Sequence, residues 1–250
     1  MTVTKHTLKH AFVPALLFCL QAPFAFGWHD NTHLAISKAA GYIHWYNSVG
    51  ADMAKIKAGD KEAHNHYCNI PPYKKVTARM VFGQIRYYNT IDPRGHLYGA
   101  ILASLRQYRR DVEQGKYGQY HLAYFAHYVG DLSQPLHNTV WNDFNKVNHR
   151  AFDAILEGEV LDRLDKIKIY HMKIKSEKDL AREIARIANI SKQYGYWFEK
   201  ESRLITKEEA YAQISHSASL LKAILEWLND QGLGPAQIKG KRYKPQALIK

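Results

Sequence analysis

Apolar residues recur at helical spacing along most of the chain, and this periodicity is the strongest constraint on its fold. Residues three and four positions apart share one side of an α-helix, whereas a half-buried strand needs strict alternation. The sequence contains no convincing pair of alternating segments. The pattern predicts helices over 31–47, 96–114, 117–132, 146–168, 177–200 and 207–230, separated by loops. We therefore expect an all-α fold.

Two signals mark boundaries between the predicted helices. Pro71 and Pro72 cannot lie inside a helix, so residues 59–75 are expected to form a loop. Thr206 and Glu209 have the spacing of a capping box, in which each side chain accepts from the backbone N–H of the other residue. The sequence has neither an internal repeat nor a low-complexity linker, and its 250 residues are compatible with one domain.

The first 27 residues have the pattern of a secretory signal peptide. Lys5 and Lys9 give it a basic start, and residues 11–26 form the apolar run. Ala25 and Gly27 then provide the small-x-small cleavage pattern. The apolar run of about 16 residues is shorter than the ~20 that a membrane-spanning helix needs, which disfavours a retained membrane anchor. Cleavage after Gly27 would make Trp28 the first residue and predicts a secreted or periplasmic protein.

Residues 28–238 are expected to form the folded domain, followed by a basic tail over residues 239–250. Cys19 would leave with the signal peptide, so Cys68 would have no partner and no disulfide is expected. The formal charge of +12 predicts attraction to anionic partners such as nucleic acid, acidic lipid or phosphate esters. Charge alone does not choose among them.

The segment HYVGDLSQPLH, from His127 to His137, carries the most informative spacing in the chain. His127 and Asp131 are four positions apart on a predicted helix and therefore point the same way. His149 and Asp153 repeat this spacing on the next predicted helix. Imidazole and carboxylate groups are common zinc ligands in proteins.

A single such pair could equally be an accident or a surface ion pair, because the chain contains 14 histidines. Two pairs joined through a turn are harder to explain in this way. Pro135 turns the chain, so His137 can reach back toward the same cavity, and Gly130 lets another element approach the helix closely. The combination predicts a metal site.

This segment resembles the signature of the superfamily that unites zinc-dependent bacterial phospholipases C with the zinc single-strand nucleases of fungi and plants. The resemblance implies a mostly helical single domain with three zinc ions in a cleft, and zinc-dependent hydrolysis of phosphate esters. In that family the mature protein begins with a tryptophan whose amine and carbonyl oxygen bind one metal. The predicted cleavage places Trp28 first. The resemblance extends from Trp28 to about Asp153.

The resemblance also implies a ligand set. The first zinc would be bound by Trp28, His33 and Asp131, the second by Asp52, His66, His127 and a shared Asp131, and the third by His137, His149 and Asp153. His64 and Asp60 are the alternatives to His66 and Asp52. Asp52 would also act as the catalytic base that orients the attacking water. Tyr67, beside His66, would bind substrate as a stacking platform.

Three functions remain open at this point. Within the superfamily that the chain resembles, the short interval between His137 and His149 and the absence of disulfides are similar to the bacterial branch and favour a phospholipase C that releases diacylglycerol and a phosphorylated headgroup. The positive charge, the WHDNTH spacing at the predicted N-terminus and Tyr67 favour a nuclease acting on single-stranded DNA or RNA. A non-catalytic secreted zinc-binding protein is the third. Besides its phospholipid or nucleic-acid substrate, the protein is expected to make at most transient contact with a membrane surface, and to be a monomer without a protein partner.

Overall fold

The computed structural model describes residues 28–235, and throughout this range the regular secondary structure is helical, with no strand. The α-helices are α1 Asp30–Ala39, α2 Gly50–Ala58, α3 Asp60–Ala63, α4 Ala78–Gln84, α5 Leu97–Glu113, α6 Gln119–Leu132, α7 Asp143–Ala154, α8 Glu177–Lys200 and α9 Lys207–Asp230. Short 3-10 helices cover Trp45–Asn47, Ile85–Tyr87, Pro135–Asn138 and Leu164–Lys166. The predicted all-α, single-domain fold is confirmed. The predicted signal peptide and basic tail lie outside the described residues.

The four most periodic segments form helices close to their predicted limits. They are α5, α6, α8 and α9, and none of their ends departs from prediction by more than two residues. The capping box is present, because the Thr206 side chain accepts from the Glu209 N–H while the Glu209 side chain accepts from the Thr206 N–H.

Three other segments differ from the prediction. The helix expected over residues 31–47 ends at Ala39, since Gly41 has φ of +79° and the chain leaves the helical conformation there. The helix expected over residues 146–168 is displaced toward the N-terminus. It begins at Asp143, where the Asn142 side chain accepts from a backbone N–H, and ends at Ala154.

The third difference concerns the predicted loop over residues 59–75. Its first residues form the short helix α3, whereas the stretch around the two prolines is non-helical as expected. The short helix α4 was not predicted; it begins at Ala78 after the N-cap Thr77, whose side chain accepts from the Met80 N–H.

Helix α6 lies at the centre of the fold. It packs against α1, α2, α5, α8 and α9, and every residue from Phe125 to Leu132 is buried. The described residues form two apolar cores. The first lies between α4, α5, α6, α8 and α9. The second lies between α1, α7, the end of α8 and the start of α9. Within residues 28–235, no helix is both long enough and apolar enough to span a bilayer.

Candidate metal centre

The C-terminal half of α6 carries the predicted His127 and Asp131, and both side chains are fully buried. Their four-residue spacing places them on one side of the helix, where His127 Nε2 lies 3.3 Å from Asp131 Oδ2. The 3-10 helix that follows α6 brings in His137, and α7 brings in His149 and Asp153. The structure therefore gathers all five residues of the motif at one end of α6.

Four ligand atoms surround a common point in the middle of this cluster. Asp52 Oδ1 and Asp131 Oδ2 each lie 2.9–3.8 Å from His66 Nδ1 and His127 Nε2, and the two nitrogens are 3.2 Å apart. Ligands bound tetrahedrally to zinc at ~2.0–2.2 Å are separated by about 3.3–3.6 Å. These separations are compatible with one bound metal ion.

A second group consists of His137, His149 and Asp153, whose ligand atoms lie close enough to hold a metal ion. His137 Nδ1 lies 2.5 Å from the His66 carbonyl oxygen, and His149 Nδ1 lies 2.6 Å from Asn145 Oδ1. Because each Nδ1–H donates to an oxygen, each Nε2 carries a lone pair. The two Nε2 atoms face each other at 3.1 Å, an arrangement that repels unless a proton or a cation lies between them.

His33 brings helix α1 into the cluster and forms a third group with Asp52 and His127. Its ring stacks on His127 at 3.8 Å, and its Nε2 lies 3.3 Å from Asp131 Oδ1. A Cβ on Gly130 would come within 2.4 Å of His33 Nδ1, so Gly130 permits the close approach, as predicted. Burial and the neighbouring His127 lower the pKa of His33, which leaves its ring neutral and able to bind a metal.

Several polar atoms in the cluster are buried without a hydrogen-bond partner. They include both ring nitrogens of His33 and Oδ1 of Asp131. A buried polar group without a partner destabilises a fold by about 1–3 kcal/mol, so such groups are rare in native proteins. The atoms of His33 and Asp131 lie in the cluster, where a bound cation could satisfy them.

The cluster attracts positive charge. Burial alone would raise the pKa of Asp131, but His127 and His137 outweigh it, and the pKa lies well below its ordinary value. Burial would likewise lower the pKa of His127, but Asp52 and Asp131 outweigh it and raise that pKa to about 9. Burial raises the pKa of Asp153 well above its usual range.

The structure separates the alternatives that the sequence left open. His66 lies in the cluster, whereas His64 Nδ1 accepts from the Asp92 N–H 2.9 Å away. Asp52 also lies in the cluster, whereas Asp60 is exposed.

Of the remaining two predicted site residues, Trp28 lies next to the cluster, whereas the Tyr67 side chain contacts His64 and Pro93. Trp28 is fully buried, and its indole N–H donates to Ser133 Oγ at 3.3 Å. The N–H of the following residue, His29, donates to the Asp153 carbonyl oxygen, which holds Trp28 beside the second ligand group. Tyr67 is half-buried, packs edge-on against His64 and donates to the Pro93 carbonyl oxygen.

Two residues of the centre were missed by sequence reasoning. Lys55 is buried, and its Nζ lies 2.5 Å from Asp52 Oδ1. Glu62 is buried, and its Oε1 lies 3.3 Å from His66 Nε2. Both follow helical spacing, three residues after Asp52 and four before His66. The predicted loop over residues 59–75 does not include the helical turn that carries Glu62.

Three groups of histidine and aspartate side chains within metal-binding distance thus share one end of α6. Comparisons of the chain with models of protein families, with curated proteins and with solved structures gave no match.

Proposed function

We propose that this chain is a zinc-dependent phosphodiesterase, with phospholipase C activity on glycerophospholipids as the first candidate. The position of Asp131 carries the proposal. Its Oδ2 faces His66 and His127, at 2.9 and 3.3 Å, whereas its Oδ1 faces His33, at 3.3 Å. A carboxylate with ligand groups on both sides is suited to bridge two metal ions, the arrangement that two-metal phosphodiester hydrolysis uses.

Nitrogen and carboxylate ligands without sulfur suit zinc. Two ions would be held by Trp28, His33, Asp52, His66, His127 and Asp131, and a third by His137, His149 and Asp153. Bound zinc would neutralise phosphate oxygens, lower the pKa of a water molecule and stabilise charge on the leaving oxygen.

The chain's own side chains supply orientation and charge. Asp52 is about one-eighth exposed, so its carboxylate reaches the edge of the buried cluster. Although burial opposes ionisation, His127 and Lys55 hold the pKa of Asp52 well below its ordinary value. A carboxylate with so low a pKa is a weak base. Its proposed catalytic role is therefore to accept a hydrogen bond from the attacking water and orient it, while Lys55 supplies positive charge next to the anionic phosphate.

The single-strand nuclease is the second candidate. The observations that favour it are the formal charge of +12 and the aromatic Tyr67 one residue from His66. The short interval between His137 and His149 favours the phospholipase. The third candidate is a non-catalytic protein that binds zinc but has lost turnover. The complete set of ligands, with Asp52 among them, argues against it.

The test begins with metal analysis of the protein whose first residue is Trp28. We expect close to three zinc ions per chain and hydrolysis of a chromogenic phosphodiester that a chelator abolishes. Asp131→Asn should lose at least two ions and the activity, because the carboxylate is proposed to serve two metals. Asp111→Asn removes a carboxylate that pairs with His121 elsewhere, and should change neither. Wild-type protein devoid of zinc would overturn the proposal.

A second assay chooses the substrate. Wild-type protein is incubated in parallel with phospholipid vesicles and with single-stranded DNA, and diacylglycerol and nucleotides are measured. Diacylglycerol as the main product supports the first candidate, and nucleotides support the second. Zinc-loaded protein inactive on all three substrates would support the non-catalytic alternative.

A further inference from the structure

We infer that Glu62 is a positioning residue for the metal centre, because it holds His66 in the orientation that presents Nδ1 to the other ligands. The inference rests on the proposed zinc site and deepens it. Glu62 belongs to helix α3, which carries none of the predicted ligands.

The Glu62 carboxylate is fixed from several sides. Its Oε1 accepts from the Tyr128 hydroxyl at 2.5 Å, and its Oε2 accepts from the Asn65 side-chain amide at 3.0 Å. Only 4% of Glu62 is exposed. Tyr128 lies on α6 directly after the ligand His127, so the helix that bears two ligands also holds the carboxylate. Oε1 consequently lies in a fixed position 3.3 Å from His66 Nε2.

His66 is oriented differently from the other histidines of the motif. His127, His137 and His149 direct Nδ1 to an oxygen of the protein and Nε2 toward the cluster. His66 does the reverse, with Nδ1 2.9 Å from Asp131 Oδ2. A neutral imidazole that binds a metal through Nδ1 carries its proton on Nε2, and that N–H needs an acceptor. Glu62 Oε1, 3.3 Å away, is close enough to accept it after a small rotation of the ring, since the present angle does not form a hydrogen bond.

A purely structural role of Glu62 predicts a different effect of its removal than positioning of His66 does. If Glu62 merely satisfied Tyr128 and Asn65, its loss would lower stability without changing the affinity for a single zinc ion. If Glu62 fixes the His66 ring, its loss lowers the affinity for the zinc ion that His66 binds. Outer carboxylates of this kind contribute about 10–100-fold to metal affinity.

The first experiment measures zinc affinity by competition with a chromogenic chelator, using the full mature protein. Glu62→Leu should lower the affinity for one zinc ion about 10–100-fold and leave the affinity for the others unchanged. Because Glu62→Gln retains an acceptor oxygen, its zinc affinity should lie between those of Glu62→Leu and wild type. Asp111→Asn breaks a histidine–carboxylate pair away from the cluster and is the matched control. It should bind zinc as wild type does.

The second experiment reads the His66 tautomer from the side-chain nitrogen shifts of zinc-loaded, ¹⁵N-histidine-labelled protein, with His66→Gln identifying the signal. In wild type, His66 should carry its proton on Nε2, whereas His127, His137 and His149 carry theirs on Nδ1. In Glu62→Leu the His66 signal should change to the other tautomer or to a mixture. This readout distinguishes positioning from a loss of stability.

The outcomes separate this inference from the proposed function. Wild-type protein that binds no zinc would refute the zinc site itself. Wild-type protein that binds zinc, together with Glu62→Leu of equal affinity and unchanged His66 tautomer, would overturn the role of Glu62 alone. Melting temperatures show whether Glu62→Leu is folded. If it is not, the comparison of Glu62→Gln with wild type decides.

Discussion

Gly130 is the residue that lets α1 and α6 contribute side chains to one cluster. The ring of His33 occupies the space where a side chain at this position would lie. The backbone of Gly130 has an ordinary helical conformation. Glycine is therefore needed for the close approach of His33, not for backbone freedom. Any larger residue must displace His33 from Asp131 and His127.

We therefore expect Gly130→Ala to lose a zinc ion and to destabilise the fold by about 1–3 kcal/mol, the usual effect of forcing an extra methyl group into a packed site. Zinc content and urea unfolding measure the two effects. Gly83→Ala is the control, because Gly83 is also helical and a Cβ there meets nothing within 4 Å. It should retain zinc and be slightly more stable than wild type. Gly130→Ala with full zinc content would show that His33 is not a ligand.

The site was predictable from sequence where its ligands follow helical spacing. The pairs on α6 and α7 are of this kind, since four residues of helix place two side chains together in any context. Spacing alone could not bring His33 and Asp52 to the same cluster, and these two assignments needed the resemblance to a known family. Lys55 and Glu62 do not belong to that resemblance, and their positions became visible only in the structure.

At the scale of single elements, helix α9 depends on its N-terminal cap. The side chain of Thr206 satisfies the Glu209 N–H, one of the orphan donors at the start of a helix. Arg203 in turn pairs with the Glu209 carboxylate at 2.7 Å and helps to fix it.

Thr206→Ala should lower the free energy of unfolding by about 1 kcal/mol, the typical cost of losing such a cap. Thr206→Ser keeps the hydroxyl and should restore most of the loss. Chemical denaturation of the three proteins in the presence of zinc measures the difference. Because the cap lies on the protein surface and away from the ligands, zinc content should be equal in all three. An alanine variant as stable as wild type would show that α9 is held by its apolar contacts alone.

Long helices were predicted more accurately than short ones, for a physical reason. The pattern over α5, α6, α8 and α9 includes many buried positions, so the helical period repeats often enough to be detected. Helix α4 has one buried residue, Val81, and offers almost no periodicity to detect. The ends of α1 and α7 depend on where the chain must turn to reach its neighbours, which a local pattern does not contain.

At the scale of the whole molecule, the candidate metal centre lies between the two apolar cores. Helix α6 belongs to the first core and supplies His127 and Asp131, whereas α1 and α7 belong to the second and supply His33, His149 and Asp153. Bound metals would therefore cross-link the two halves of the fold. Without them, particular buried atoms of the cluster, among them both ring nitrogens of His33, make no hydrogen bond.

Removal of zinc should consequently lower the stability of the whole domain rather than of one loop. A ligand at 100 times its Kd adds about 2.7 kcal/mol per site. In a domain of this size, each kcal/mol shifts the melting temperature by roughly 2–4 °C. We expect mature protein in excess chelator to melt at least about 5–10 °C below the zinc-loaded form, in a single transition. Asp131→Asn, which should have lost two ions already, should respond much less to the same chelator. A wild-type melting temperature independent of zinc would mean that the cluster does not bind the metal in the folded state, because any ligand that prefers the native protein must raise its stability.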